Sequence, residues 1–332
     1  MTTLDKQFQH HDANPNYFGA DTLEWDQYHQ FRPSYPRELF EIIFAYHKQN
    51  GNEWSLAADF GSGPGTIAPN LLERFQKVHG SDLNERQINL GKSALQEKFG
   101  KDRVEMHVGA AGSCDWIKDG SADIFTSAEA VQWFDSDLWI EEASKKLKPG
   151  GTLAFWYYSP NCTIISHPEA AFYCNKLFSI LFESVWSSEG FPRGPVEAHA
   201  LKLRNIGIDS TKFHKEVRQF WQLPENVAGV NGLGENPPSS FSLVKDCPER
   251  IAKDAKVIDQ ECKESNSCFL QRSSWTTKEL LHYIESLGMP MDVLYKHKEY
   301  ESTMDSLHQI VGGEKGTFTV GWWLSLVMAT RT

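Results

Sequence analysis

The stretch AADFGSGPGT, residues 57–66, decides how this chain is read. Glycine stands where a side chain would block a turn or hold a ligand away from the backbone. Here Gly61, Gly63 and Gly65 alternate with Ser62 and Pro64 just after Asp59. The apolar residues before them read as the end of a buried parallel strand, and residues 67–75 after them as a helix. Strand, glycine turn and helix N-terminus together offer free N–H groups and a partial positive charge to the anionic part of a nucleotide-like ligand. A tight turn that binds nothing is the plain alternative.

Spacing narrows the ligand. A dinucleotide fingerprint G-x-G-x-x-G would put its third glycine at Thr66, whereas this chain has G-x-G-x-G preceded by an acid. A pyrophosphate fits poorly, so a nicotinamide-dependent dehydrogenase ranks last. Asp59 is placed to face the amino group of an amino-acid-like cofactor. Asp82, closing the second apolar run KVHGSD, is placed to accept hydrogen bonds from ribose hydroxyls. Together they point to S-adenosylmethionine.

Composition bounds the rest. The 332 residues exceed a usual single domain, and 40% hydrophobic with 23% charged residues are globular values. A balance of 33 basic against 44 acidic residues, net −11, repels polyphosphate at long range and argues against nucleic acid as a partner, while the substrate expected from the motifs below is a small molecule. The cysteines at 114, 162, 174, 247, 262 and 268 lack C-x-x-C spacing, so no metal site or disulfide framework is read. The first residues lack a secretory pattern, and the apolar run at 318–329 is interrupted and too short for a bilayer. The expectation is a cytoplasmic protein with no membrane partner.

Between residues 54 and 158 strand and helix patterns alternate, with strands near 55–60, 77–82, 103–108, 122–127 and 151–158. Such alternation predicts a Rossmann-like, doubly wound α/β fold. The rhythm changes after Pro160, where glycine and proline clusters appear and the charged segment 245–264 reads as helical at best. It resumes with the capping box of Thr276 and Glu279, and a closing strand at 317–331 is expected to pair antiparallel with 215–223. The predicted sheet has seven strands, mostly parallel, with one antiparallel edge strand. The predicted organisation is an N-terminal arm (1–36), a cofactor core (37–158), a substrate-covering insertion (159–271) and a C-terminal return to the core (272–332).

The blocks DFGSGPGT, GSDLN (80–84), DIFTSAEAVQWFD (123–135) and LKPGGTLAFW (147–156) resemble the class I S-adenosylmethionine-dependent methyltransferases. With YHQFRPSYP (28–36), the block AEAVQWFD looks like the fungal trans-aconitate methyltransferase group. The resemblance implies that Asp59, Gly61, Ser62, Gly63 and Gly65 surround the methionine part of the cofactor, that Asp82 holds the ribose and that Leu83 packs on adenine. It also implies that Ala128 and Glu129 line the sulfonium and that Tyr28 and Arg32 close over it. Many relatives carry an acid just after the third strand to bind adenine. This chain has Ala110 there, so Asp115 or backbone carbonyls must substitute.

No catalytic base motif stands out. A carboxylate acceptor is ionised at neutral pH and needs no base, so methylation of a small organic acid leads. A hydroxyl, amine or carbon acceptor is the second reading, and a binding protein without turnover is a distant third. Candidate acceptor contacts are Gln132 and Trp133 past the fourth strand, Trp156 and Tyr157 in the fifth, and Arg193, His199 and Arg204 as a carboxylate clamp. Core packing competes for the aromatics, and solvation competes for each charge.

Overall fold

The computed structural model describes residues 30–50, 53–228, 241, 244, 246–260, 262 and 268–332. Helix α1 (Arg37–Asn50) precedes β1 (Leu56–Phe60), the short α2 (Ala68–Leu71), β2 (Lys77–Asp82), α3 (Glu85–Phe99), β3 (Val104–Val108) and β4 (Ala122–Ala128). Then come α4 (Ser136–Lys146), β5 (Leu147–Tyr158), β6 (Thr163–Ile164), α5 (Pro168–Trp186), α6 (Arg193–Leu201), β7 (Phe213–Trp221) and α7 (Glu225–Ala228). The chain closes with β8 (Lys256–Gln260), β9 (Leu270–Trp275), α8 (Thr277–Ser286), α9 (Met291–Tyr295), α10 (Tyr300–Val311), β10 (Phe318–Trp322) and β11 (Leu324–Arg331).

The main sheet runs β3-β2-β1-β4-β5-β11-β7-β8. Its strands are parallel apart from β11, which is antiparallel to both neighbours. The α/β Rossmann-like class holds, with two differences of detail. The sheet has eight strands rather than seven, and the antiparallel strand lies inside it instead of at its edge. The added strand is β8, within the charged segment expected to be helical at best. Its side chains are almost all exposed, so it carries no apolar alternation to announce it. The closing run also splits at Trp323: β10 joins a small antiparallel sheet with β6 and β9, and β11 enters the main sheet. The helix expected over 67–75 shrinks to one turn, α2, followed by irregular backbone.

Packing explains the order of the layers. Strand β11 is buried from Leu324 to Thr330, which suits a central strand covered on both faces. Helix α1 covers one face through Leu39, Phe40 and Ile43, and it is pinned by two polar contacts. Tyr46 Oη lies 2.9 Å from Thr330 Oγ1, and His47 Nδ1 lies 2.9 Å from Thr152 Oγ1. Asn84 and Asp135 cap α3 and α4 by accepting backbone N–H groups of Gln87 and Leu138, and Thr276 with Glu279 forms the expected capping box. The fully buried Arg218 on β7 pairs with Glu216 and donates to the carbonyls of Leu203 (2.8 Å) and Ile206 (2.6 Å), tying the segment after α6 to the sheet.

Candidate cofactor and acceptor site

Between β1 and α2 the glycine turn is built almost wholly from internal contacts. Gly61, Gly63 and Gly65 all adopt positive φ, where other residues are strained. A Cβ at Gly61 would stand 2.2 Å from Ala130 Cβ, and one at Gly65 would stand 2.5 Å from Leu95 Cδ1. Only at Gly63, of these three, would a Cβ meet open space. Two of the glycines therefore allow protein to pack on protein, and Gly63 marks the side open to a ligand.

The N–H groups expected to await an anion are already engaged. Ser62 N donates to Ser81 O, Gly65 N donates to Ser62 O, and Gly63 N donates to Asp82 Oδ2 at 2.8 Å. What the turn presents instead is carboxyl groups, whose ionised form a bound cation would favour. Asp59 is buried at the end of β1, where its carboxylate accepts from Thr126 Oγ1 at 2.9 Å. Burial, with Asp82 nearby, pushes its pKa up to about 8. Burial also raises Asp82, against the opposing pull of the Asn84 and Gly63 N–H groups. The Asp82 carboxylate accepts backbone N–H groups of Gly63, Asn84 and Leu83, and its oxygens still have acceptor capacity for ligand hydroxyls.

A third acid, Glu129, stands just past β4 in the left-handed region, at φ 57°. Its carboxylate accepts the N–H of Tyr158, and burial holds its pKa well above the usual range. Such strain at the C-terminal end of a central strand is characteristic of a functional position. The Arg32 guanidinium is close enough to oppose that shift. It donates to Tyr158 Oη (3.4 Å) and to the Ser286 carbonyl (3.3 Å), which fastens the residues before α1 over the ends of β5 and α8.

Asp59, Asp82 and Glu129 thus ring the C-terminal ends of β1, β2 and β4. This arrangement suits a ligand that carries positive charge and hydroxyls, and S-adenosylmethionine, with a sulfonium, an ammonium and a ribose, fits it. Polyphosphate does not. Leu83, just after β2, is exposed and free to cover a flat ring. Ala110 and Asp115 are both exposed on the loop after β3, and Gly109 N donates to the Asp82 carbonyl. Tyr28 lies outside the described residues.

The acceptor candidates separate. Gln132 is buried in the one-turn helix 131–133, where its Nε2 donates to the Glu129 carbonyl and its Oε1 has no hydrogen-bond partner. Trp133 reaches the Phe191 ring edge-on. Trp156, by contrast, is core: it is fully buried with Tyr35 and Phe40 edge-on to it. The expected carboxylate clamp does not assemble. The exposed Arg193 lies 3.6 Å from the buried Glu197, one turn on in α6. Arg204 lies over the Phe220 ring at 4.6 Å and reaches Glu249 and Asp259. His199 is fully buried and burial lowers its pKa to about 3, so it is neutral and cannot clamp an anion by charge.

The surroundings of His199 were not legible in the sequence. Its ring sits among Phe182, Trp186, Phe241 and Trp323, with centroids 6.0, 5.2, 5.6 and 5.3 Å away. Among the described residues neither ring nitrogen has a hydrogen-bond partner. The cluster borders the end of β5 through Trp323, whose ring lies 5.5 Å from that of Tyr157. Helix α6 also presses on the turn after β4, where a Cβ at Gly194 would be 2.3 Å from the Gln132 carbonyl oxygen.

Comparison with known proteins agrees with this geometry. Residues 58–155, which hold Asp59, the glycine turn, Asp82 and Glu129, match the family described as "Methyltransferase domain". Methyltransferase cfoB of Aspergillus candidus is 25% identical over 327 residues, covering 94% of this chain and 95% of that protein. Methyltransferase pgmE of Aspergillus terreus is 27% identical over 332 residues, covering 92% and 93%. Among solved structures, a protein assigned as a type II methyltransferase from Anaeromyxobacter dehalogenans shares the fold, with a TM-score of 0.52 at 18% identity over 90% of this chain and 97% of that one.

Proposed function

We propose that this chain, a class I S-adenosylmethionine-dependent methyltransferase, methylates a hydroxyl oxygen of a small, mainly apolar acceptor held against the aromatic wall around His199. The observation that carries this reading is the imidazole of His199, buried and neutral, with both nitrogens unpartnered. Leaving a buried polar group unsatisfied costs about 1–3 kcal/mol, a cost that a ligand hydroxyl would remove. Phe241, the partly exposed ring of the four, is the one that the acceptor displaces on entry.

In this reading Asp82 takes the ribose hydroxyls, Asp59 and Glu129 favour the cofactor's positive charges, and Arg32 and Tyr158 hold Glu129 in place. Bound there, the cofactor supplies an electrophilic methyl group on a positively charged sulfur. With the methyl group transferred to the acceptor oxygen, His199 would take the hydroxyl proton and the demethylated cofactor would leave with the electron pair of its sulfur. A base with a pKa of about 3 is strong enough if it acts late, because a hydroxyl that has gained a methyl group is a far stronger acid than the free hydroxyl. Positioning supplies the rest of the rate.

Methylation of a carboxylate on a small, trans-aconitate-like acid is the second reading. Arg32, a cation at the ends of β5 and α8, supports it. The absence of a converging clamp from Arg193, His199 and Arg204 weighs against it.

The two readings are separable by incubating the enzyme with methyl-labelled cofactor and a panel of small acids, phenols and alcohols, then treating the products with mild alkali. Methyl ethers keep the label, whereas methyl esters release it as methanol. His199→Phe, which preserves the ring volume, is expected to leave cofactor affinity unchanged and to slow transfer to the hydroxyl by about 10²–10⁴-fold. An alkali-labile product, or an unchanged rate in this variant, contradicts the proposal.

A further inference from the structure

We propose that His79, Glu105 and His107 form a binding site for a zinc-type divalent cation on the outer part of the sheet, apart from the methyl-transfer site. The placement follows from the strand register. His79 on β2 is paired with Glu105 on the edge strand β3, and His107 lies two residues further along β3. Paired residues, and residues two apart along a strand, project from the same face. All three ligand groups therefore leave the sheet on one side, with their candidate donor atoms within 4.8 Å of one another.

The distances are close to those a metal would impose. His79 Nε2 lies 3.7 Å from one oxygen of Glu105, and His107 Nε2 lies 3.8 Å from the other. Tetrahedral zinc with bonds of about 2.0–2.2 Å would hold neighbouring donors about 3.3 Å apart, so each histidine–carboxylate pair needs to close by a few tenths of an ångström, Glu105 reaching the two histidines through different oxygens. Among the described residues His107 Nε2 and His79 Nδ1 are buried without a hydrogen-bond partner.

The walls are rigid. Trp116 stacks on His107 at 4.1 Å with the planes 9° apart, lies 5.7 Å from His79, and itself stacks on Phe60. Two imidazoles fixed by an indole lose little freedom on binding, and the exposed Glu105 leaves an approach from solvent.

The chemistry of the donor set selects the metal. Two imidazoles and one carboxylate suit zinc and its borderline-soft neighbours, while magnesium and calcium need more oxygens. Lys77 and Lys92 are the nearby charges that oppose a cation, and Glu105 is the one that favours it. A fourth position remains for water. Sequence spacing could not show this site, because its ligands come from separate strands and meet only through the register.

The test uses the full chain, stripped with a chelator and titrated with zinc chloride in competition with a chromophoric chelator. Cobalt(II) serves as the absorbance probe, and magnesium as the control. The expected result is saturable zinc binding, an upward shift of the thermal midpoint and no response to magnesium. Glu105→Gln and His107→Gln should each weaken zinc affinity by at least about tenfold, the lower end of what disturbing a metal's surroundings costs. Far-ultraviolet circular dichroism of the two variants should match the parent, which keeps the result readable as a loss of ligands.

Absence of saturable zinc binding to the parent overturns the proposal. So does zinc affinity left unchanged in both variants, as would follow if the metal went to Cys262 and Cys268, whose sulfurs lie 2.8 Å apart.

Discussion

At the scale of single residues, the cofactor site is defined by carboxyl groups that the fold keeps from ionising freely. Asp59 is the clearest case, with a pKa near 8 in the ligand-free protein because it is buried and faces Asp82. A cation bound beside it favours the ionised form, so below pH 8 binding must release a proton. Cofactor affinity is expected to rise with pH from 6 towards 8, by at most about tenfold per unit, and Asp59→Asn should flatten the slope. Calorimetry across that range, in buffers of different ionisation enthalpy, reads both the slope and the proton release. A slope that is the same in parent and variant would remove Asp59 from the account. The same carboxyl makes the ligand-free fold less stable as pH rises from about 4 to about 8, because the unfolded chain gives up a proton there that the folded one retains.

Elements turn these residues into a site through close approaches of backbone. Helix α3 crosses the glycine turn at Gly91, where a Cβ would lie 2.3 Å from the Pro64 carbonyl oxygen. That atom belongs to the backbone and cannot swing aside. Gly91→Ala is therefore expected to push α3 from the turn, destabilise the protein by about 1–3 kcal/mol and weaken cofactor binding with it. Urea denaturation with and without cofactor measures both effects, and a variant as stable as the parent would refute this packing argument. The turn itself was legible because glycine spacing, Asp59 and Asp82 all lie close to strand ends that apolar runs reveal. Gly91 was not, since its reason for being glycine is a contact with residue 64 that only the packed fold creates. Strand β8 was hidden for a similar reason: it is exposed along its length and is specified by pairing with β7 rather than by its own pattern.

Across the whole molecule, function divides along the sheet. The half from β3 to β5 carries the proposed donor site, and this is the half that matches the methyltransferase family and that the sequence blocks announced in order. Beyond β5 lie α5, α6 and the aromatic wall, where the sequence could not show that His199 is buried among aromatic rings or that Arg204 lies over Phe220. Trp156 failed as an acceptor contact because an aromatic in a central strand faces whichever layer covers it, and here that layer is α1 with Phe40. Among the described residues no helix is long and apolar enough to cross a membrane.

The central claim is that the cofactor sits on the glycine turn with Asp82 on its ribose. The most direct test is calorimetric titration of the chain with S-adenosylmethionine, run beside Asp82→Ala. The account predicts saturable binding to the parent and a loss of about 1–3 kcal/mol in the variant, some ten- to a hundredfold in affinity. No binding to the parent, or equal affinity in the two proteins, would contradict it.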